Sequence, residues 1–168
     1  MWRTEIPLQD VTPFIPCRMQ LATVGSVRLI NIYAPSGSNR KEERATFFGQ
    51  HLFRALDLNS HLPLVLGGDW NCLLNPLDVE NAVGFRQKTC AALDDLVKVK
   101  KLTDSFRYCY PNKQEFTFFR PGSAPSRLDR IYVSPILKSQ IIDVSHVASL
   151  ADHSGVKLNI DLDLIGVN

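Results

Sequence analysis

Apolar residues first recur in short alternating runs along this chain, and only later at helical spacing. Cys17–Thr23 and Val27–Tyr33 are β-rich segments joined at Gly25-Ser26, a hairpin signal. Upstream of them, residues 1–15 with Pro7 and Pro13, followed by Pro16, read as extended or irregular chain. Ala34-Pro35-Ser36-Gly37-Ser38 breaks the alternation. Phe48, Leu52 and Leu56 then recur at helical intervals, and Asn39 with Glu42 three residues on reads as a capping box. Asn59, Ser60 and Pro63 end this helix. Leu64–Leu66 is an unbroken apolar run, as expected of a strand covered on both faces. A loop over residues 75–85 precedes a second helix near Arg86–Lys101, with Leu93, Leu96 and Val97 inward and Asp94 paired with Lys98 on the wet side. Ser105–Tyr110, Glu115–Phe119, Leu128–Val133, Ile141–Val147 and Val156–Leu162 read as strands, with a turn over residues 121–125. Strands interrupted by two helices predict a layered α/β domain, and the sequence has no internal repeat or linker.

The pattern changes character at Leu64 to Asn75, where an apolar strand meets Gly67 and Gly68 and then Asp69-Trp70-Asn71. In extended chain alternate side chains share a face, so Asp69 and Asn71 point one way and Trp70 points back into the packing. Paired glycines permit a tight turn or the close approach of a phosphate. A polar site at the end of a buried strand is one reading; a Gly-Gly turn with a capping Asp is the other.

Composition narrows the class without naming a substrate. The 168 residues suit one domain, and a net charge of +2 permits a nucleic-acid partner without demanding one. Cys17, Cys72, Cys90 and Cys109 are scattered, with no Cys-x-x-Cys pair, which argues against a zinc site or a disulfide framework. Residues 1–20 carry charges and prolines in place of a continuous apolar core, so neither a secretory signal nor a membrane span is expected. The chain reads as intracellular, with reduced thiols.

Four short polar clusters sit at strand ends: Asn31-Ile-Tyr33-Ala-Pro35, Gly67-Gly-Asp69-Trp-Asn71, Ser126-Arg-Leu-Asp129-Arg-Ile-Tyr132 and Ala151-Asp152-His153. In this order and spacing they resemble the endonuclease/exonuclease/phosphatase superfamily, the DNase-I-like fold. Within it the match is most similar to endonuclease domains of LINE-type, non-LTR retrotransposons and to apurinic/apyrimidinic endonucleases of the exonuclease III type, which act in DNA repair. The resemblance covers about Cys17 to Asp161. Inositol-phosphate phosphatases and sphingomyelinases share the Asp-x-Asn and Asp-His elements but differ around the third cluster, so Ser126–Tyr132 favours nucleic acid.

The resemblance implies a four-layer sandwich of two facing mixed β-sheets flanked by helices. It implies DNA as partner, no membrane and no small organic cofactor. By resemblance Asp69 is the base or water-orienting carboxylate, Asn71 positions water or phosphate, and Tyr33 places its hydroxyl on the phosphate. His153, held by Asp129, donates to a non-bridging oxygen, and Asp152 lies at a Mg²⁺ (or Mn²⁺) ion. Plain structural readings stand beside these: Tyr33 as a strand-end tyrosine, Asp129 as a partner for Arg130, Asn71 as a turn former. Arg127 and Arg130 either contact a nucleic-acid backbone or form solvated surface pairs.

The family's pattern also includes an upstream catalytic Asn and a metal-binding Glu, and neither stands in place here; Glu5 is the one early candidate, in a Pro-flanked segment. The expectation is therefore a single domain over residues 1–168 lacking its N-terminal part. It implies one incomplete sheet, an open edge prone to self-association and weakened metal binding. The implied function is Mg²⁺-dependent DNA endonuclease action in the nucleus, weak or lost. The alternatives are a catalytically silent nucleic-acid- or protein-binding domain and a small-molecule phosphatase.

Overall fold

The computed structural model describes residues 8–81, 90–149 and 151–162. Its frame is a six-stranded sheet faced by a two-stranded sheet. Strands β1 (Gln9–Ile15), β2 (Met19–Val24) and β3 (Val27–Tyr33) form an antiparallel meander. The expected hairpin at Gly25-Ser26 joins the last two, with Val24 opposite Val27. Strand β4 (Leu64–Asp69) lies parallel to β3, and β6 (Asp129–Val133) runs antiparallel to β4 with the short β5 (Thr103–Asp104) outside it.

A parallel pair needs a crossover, and the helical segment after Tyr33 supplies it. A 3₁₀ turn at Ser38–Arg40 leads into α1 (Lys41–Thr46), which passes through a π-type segment (Phe47–Leu52) into α2 (Phe53–Leu58). Widening the helix there lets the consecutive Phe47 and Phe48 both turn inward, packed edge to face with ring centroids 5.3 Å apart. With Leu52 and Leu56 they cover Ile30, Ile32, Leu64 and Leu66, and α3 (Ala91–Val99) adds Leu93 and Leu96 to the same core. The opposite residues of the strands, Val27, Leu29, Val65 and Val133, meet Ile141, Leu158 and Ile160 of β7 (Ile141–Val147) and β8 (Gly155–Ile160). Helices, a large mixed sheet and a small second sheet thus form the α/β sandwich, its second sheet holding two strands among the described residues.

Several local expectations change. Gln9–Ile15 takes the extended of its two readings, as a paired strand; register breaks at Gln9/Thr12 and Pro13/Ile15 accommodate Asp10 (φ 51) and Pro13 on an edge. Ser105–Cys109 is helix α4, because the Asp104 carboxylate accepts from the Phe106 and Arg107 amides and caps it. Glu115–Phe119 forms only bridges, from Phe118 to Ser126 and to His153. The Asn39/Glu42 capping box does not form, whereas Asn75 and Asp78 make one around the Pro76–Asp78 turn. The expected Asp94–Lys98 pair is present. Arg86–Thr89, the first residues expected in the second helix, and Glu5 lie outside the described residues.

Gly67 and Gly68 do not turn the chain; β4 continues through them to Asp69. At Gly68 (φ 137) a Cβ would lie 2.0 Å from the Ile32 carbonyl oxygen, so close packing of β4 on β3 requires the missing side chain.

Candidate active site

Strand register assembles the site. Tyr33 pairs with Asp69 across the parallel β3/β4 ladder, and Asp69 pairs with Asp129 across the antiparallel β4/β6 ladder. Because the three sit in one row, they share a face of the sheet at one end of the strands. The row is anchored from behind by Trp70, fully buried as its place beside Asp69 implied. Its ring lies against Phe48 and Tyr132, and its indole N–H donates to the Arg130 carbonyl at 3.1 Å.

Asn71 does not continue the strand. It takes a left-handed backbone (φ 48) and folds back on Asp69. Its amide N–H donates to Asp69 Oδ1 at 2.9 Å, and its Nδ2 donates to Asp69 Oδ2 at 2.8 Å and to the Ala34 carbonyl at 2.9 Å. Both oxygens of Asp69 are therefore oriented. Burial nevertheless pushes this carboxyl up to about 6, and the neighbouring Asp129 charge adds to it, against the lowering effect of Asn71 and His153.

His153 reaches the row from the loop before β8. Its Nδ1 lies 2.8 Å from Asp129 Oδ2, which fixes the ring and leaves Nε2 outside that bond. Burial works against the imidazolium, yet the hydrogen bond and charge of Asp129, with Asp69 and Asp152 beyond, raise its pKa above the usual value. Thr117 and Phe118, which nothing in the local sequence marked, hold the loop. Ser154 N–H donates to the Thr117 carbonyl at 2.7 Å, Phe119 N–H to the Asp152 carbonyl at 2.8 Å, and the Phe118 ring sits 4.9 Å from that of His153. The Thr117 hydroxyl in turn accepts from the Leu128 and Asp129 amides at 3.0 Å each.

The row opens on a cavity of about 470 Å³ lined by Tyr33, Asp69, Asn71 and His153, together with Ser36–Ser38, Arg44 and Arg120. Tyr33 is half exposed, with the Arg18 guanidinium 5.0 Å from its ring centroid. Asp152 is exposed beside His153. Among the described residues no three His, Cys, Asp or Glu side chains cluster tightly enough to cage a metal ion.

The two arginines of the third cluster lie elsewhere. Arg127 and Arg130 are each 1% exposed, in neither of the surface roles considered for them. Arg127 donates to Asp78 Oδ1 at 2.9 Å and to both oxygens of Asp104 at 3.1 and 2.7 Å; Arg130 donates to Asp78 Oδ2 at 3.1 Å. Arg107 also pairs with Asp78, whose carboxyl is desolvated yet driven well below the carboxylate range by the surrounding guanidinium groups. The pair thus fastens the chain on either side of Leu128–Asp129. Asp129 itself pairs with His153 and not with Arg130.

A desolvated carboxylate, a carboxylate-held imidazole and a phenol thus border one cavity. The profile of the endonuclease/exonuclease/phosphatase family matches residues 4–153. The chain belongs to this family. An uncharacterized 149 kDa protein of transposon TX1 from Xenopus laevis is 31% identical over 138 residues, covering 80% of this chain and 10% of that protein. The exodeoxyribonuclease of Bacillus subtilis (strain 168) is 29% identical over 155 residues, 82% of this chain and 61% of the enzyme. The chain thus spans less than two thirds of either relative. The 3′ phosphatase NExo from Neisseria, solved with a product DNA hairpin, superposes with a TM-score of 0.77 at 26% identity, over 92% of this chain and 72% of that one. The superfamily expected from the four clusters and the sandwich expected with it are both present. Among the described residues no helix is long and apolar enough to cross a membrane.

Proposed function

We propose that this chain is a Mg²⁺-dependent DNA endonuclease of retroelement type, acting on genomic DNA in the nucleus. The register row of Tyr33, Asp69 and Asp129, with His153 bonded to the third, carries the reading. It sets a base, an acid and a hydroxyl around one cavity. Asp69 is ionised at neutral pH yet retains useful basicity, so it orients and deprotonates the attacking water. His153 presents Nε2 to a non-bridging oxygen, with Asp129 stabilising its charge, and the Tyr33 hydroxyl contacts the same phosphate. Asn71 commits both amide hydrogens to Asp69 and Ala34, which leaves Oδ1 as an acceptor toward water or a cation.

The donor set fits a hard cation. Asp69, Asp152 and Asn71 Oδ1 offer oxygen ligands without a closed cage, which suits Mg²⁺ or Mn²⁺ held through one or two carboxylates and several waters. Such an ion, when bound, polarises the phosphoryl oxygens and offsets their charge. The named activity of the Bacillus relative and the DNA in the Neisseria structure support DNA as substrate, and the Xenopus relative supports the retroelement type. A catalytically silent DNA-binding role is the second reading, favoured by the absence of a three-ligand cluster among the described residues.

Titrating Mg²⁺ into a supercoiled-plasmid nicking assay, with EDTA and a soluble phosphomonoester as controls, separates these readings. The expected result is nicking that EDTA abolishes and no phosphomonoester hydrolysis. DNA binding without nicking at any Mg²⁺ concentration establishes the silent role instead.

A further inference from the structure

The lining of the cavity includes a residue that none of the four clusters contains. Arg44, on α1, is 4% exposed, yet it lines the cavity together with Ser36, Gly37 and Ser38. Its Nη1 donates to the Pro35 carbonyl at 2.9 Å and to the Gly37 carbonyl at 3.1 Å. One guanidinium nitrogen thus fastens both ends of the turn that follows Tyr33-Ala34. Gly37 sits in that turn at φ 97, a backbone conformation that glycine adopts readily. The Nε of Arg44 is buried with no hydrogen-bond partner among the described residues. No carboxylate neutralises the group among its described hydrogen bonds and ion pairs: Glu43, next in the chain, pairs with Arg18 and Arg40. A buried guanidinium bonded only to carbonyl dipoles keeps its full charge unpaired, which is costly unless an anion arrives. The cavity it borders is the one that holds Asp69, Asn71 and His153.

We infer that Arg44 is the positioning residue of the substrate-binding wall: it locks the Pro35–Gly37 turn onto helix α1 and supplies the cavity with a fixed positive charge for an anionic phosphodiester strand. The inference rests on the nuclease reading and assigns to it a binding determinant on a different element from the reacting groups. Arginine suits both tasks, because Nη1 alone bonds the two carbonyls while Nε keeps an unused N–H. Lysine keeps the charge but has one nitrogen for both tasks.

The test compares Arg44→Lys and Arg44→Ala with the unaltered chain by plasmid nicking in Mg²⁺ and by equilibrium binding of a short DNA duplex in EDTA, after thermal melts. Arg44→Ala is expected to raise KM and the duplex Kd about tenfold or more, the loss of charge-assisted hydrogen bonds, while kcat changes less than about threefold. Arg44→Lys should fall between the two. Added methylguanidinium should restore binding to Arg44→Ala, whereas methylammonium should not. In both variants the Arg40 amide, bonded to the Gly37 carbonyl at 3.3 Å, should exchange faster with deuterium as the turn loosens. Unchanged KM and Kd in a folded Arg44→Lys and Arg44→Ala overturn the inference while leaving the nuclease reading intact. Loss of kcat alone, or loss without guanidinium rescue, assigns Arg44 to stability or catalysis and also overturns it. If Arg44→Ala fails to fold, Arg44→Lys alone decides through Kd. An unaltered chain that neither binds nor nicks DNA removes the nuclease reading, and this inference with it.

Discussion

Asp69 is kept where a carboxylate is uncomfortable, and that discomfort is measurable. Its folded pKa stands near 6 against 3.8 for the free side chain, so between those values the folded state holds more protons than the unfolded chain. Stability must therefore fall as pH rises through that window, by about 3 kcal/mol if the whole shift is expressed. Denaturant unfolding of the unaltered chain and Asp69→Asn between pH 3 and pH 7 should show this slope in the former alone; parallel curves would mean that Asp69 is not desolvated. The proposed activity depends on the same groups. Asp69 must be ionised and His153 protonated, so the rate should climb through about pH 6 and decline above the raised pKa of His153. In Asp129→Asn the histidine loses the partner that raises its pKa, and the alkaline limb should move to lower pH. These residues were legible in the sequence because their chemistry is carried by short local clusters. Arg127 and Arg130 were not: their partner Asp78 lies 49 and 52 residues away, and only the fold turns two surface-looking arginines into buried ones.

At the scale of elements, the alternation of β3 and the apolar run of β4 foretold the central strands, since each strand has both faces in a core. Strand β1 carries no such signal, because it lies on an edge with most of its side chains exposed. Helix α4 alternates like a strand in Ser-Phe-Arg-Tyr-Cys, and its state is decided by the Asp104 cap and by the bond from Arg107 to Asp78. The two glycines of β4 looked equivalent and are not. Gly68→Ala drives a Cβ into the Ile32 carbonyl and should cost about 2–5 kcal/mol, whereas Gly67→Ala meets only Ile131 Cγ1 at 3.5 Å and should cost less than about 1 kcal/mol. Thermal melts of the two variants check this, and equal losses would contradict the strand-on-strand packing.

For the whole molecule, the buried charges around Asp78 are the point where the fold and the site depend on each other. Asp78 offsets Arg107, Arg127 and Arg130 together, so Asp78→Ala strands buried cations and should destabilise by about 3–5 kcal/mol in denaturant unfolding. The small sheet is the exposed flank, with Ile142 68% and Val147 51% accessible on β7, whereas β1 is interrupted by Pro13 and two register breaks. Concentration-dependent association in size-exclusion chromatography should therefore diminish in Ile142→Lys; undiminished association would place the contact elsewhere. The central claim is that one row across β3, β4 and β6 performs phosphodiester hydrolysis. Its most direct test is EDTA-sensitive plasmid nicking by the unaltered chain, Asp69→Asn and His153→Ala, purified side by side and shown to be folded. The account predicts that each substitution removes activity by about 10²- to 10⁴-fold. Losses below about tenfold in both variants, or equal nicking by all three, would contradict it.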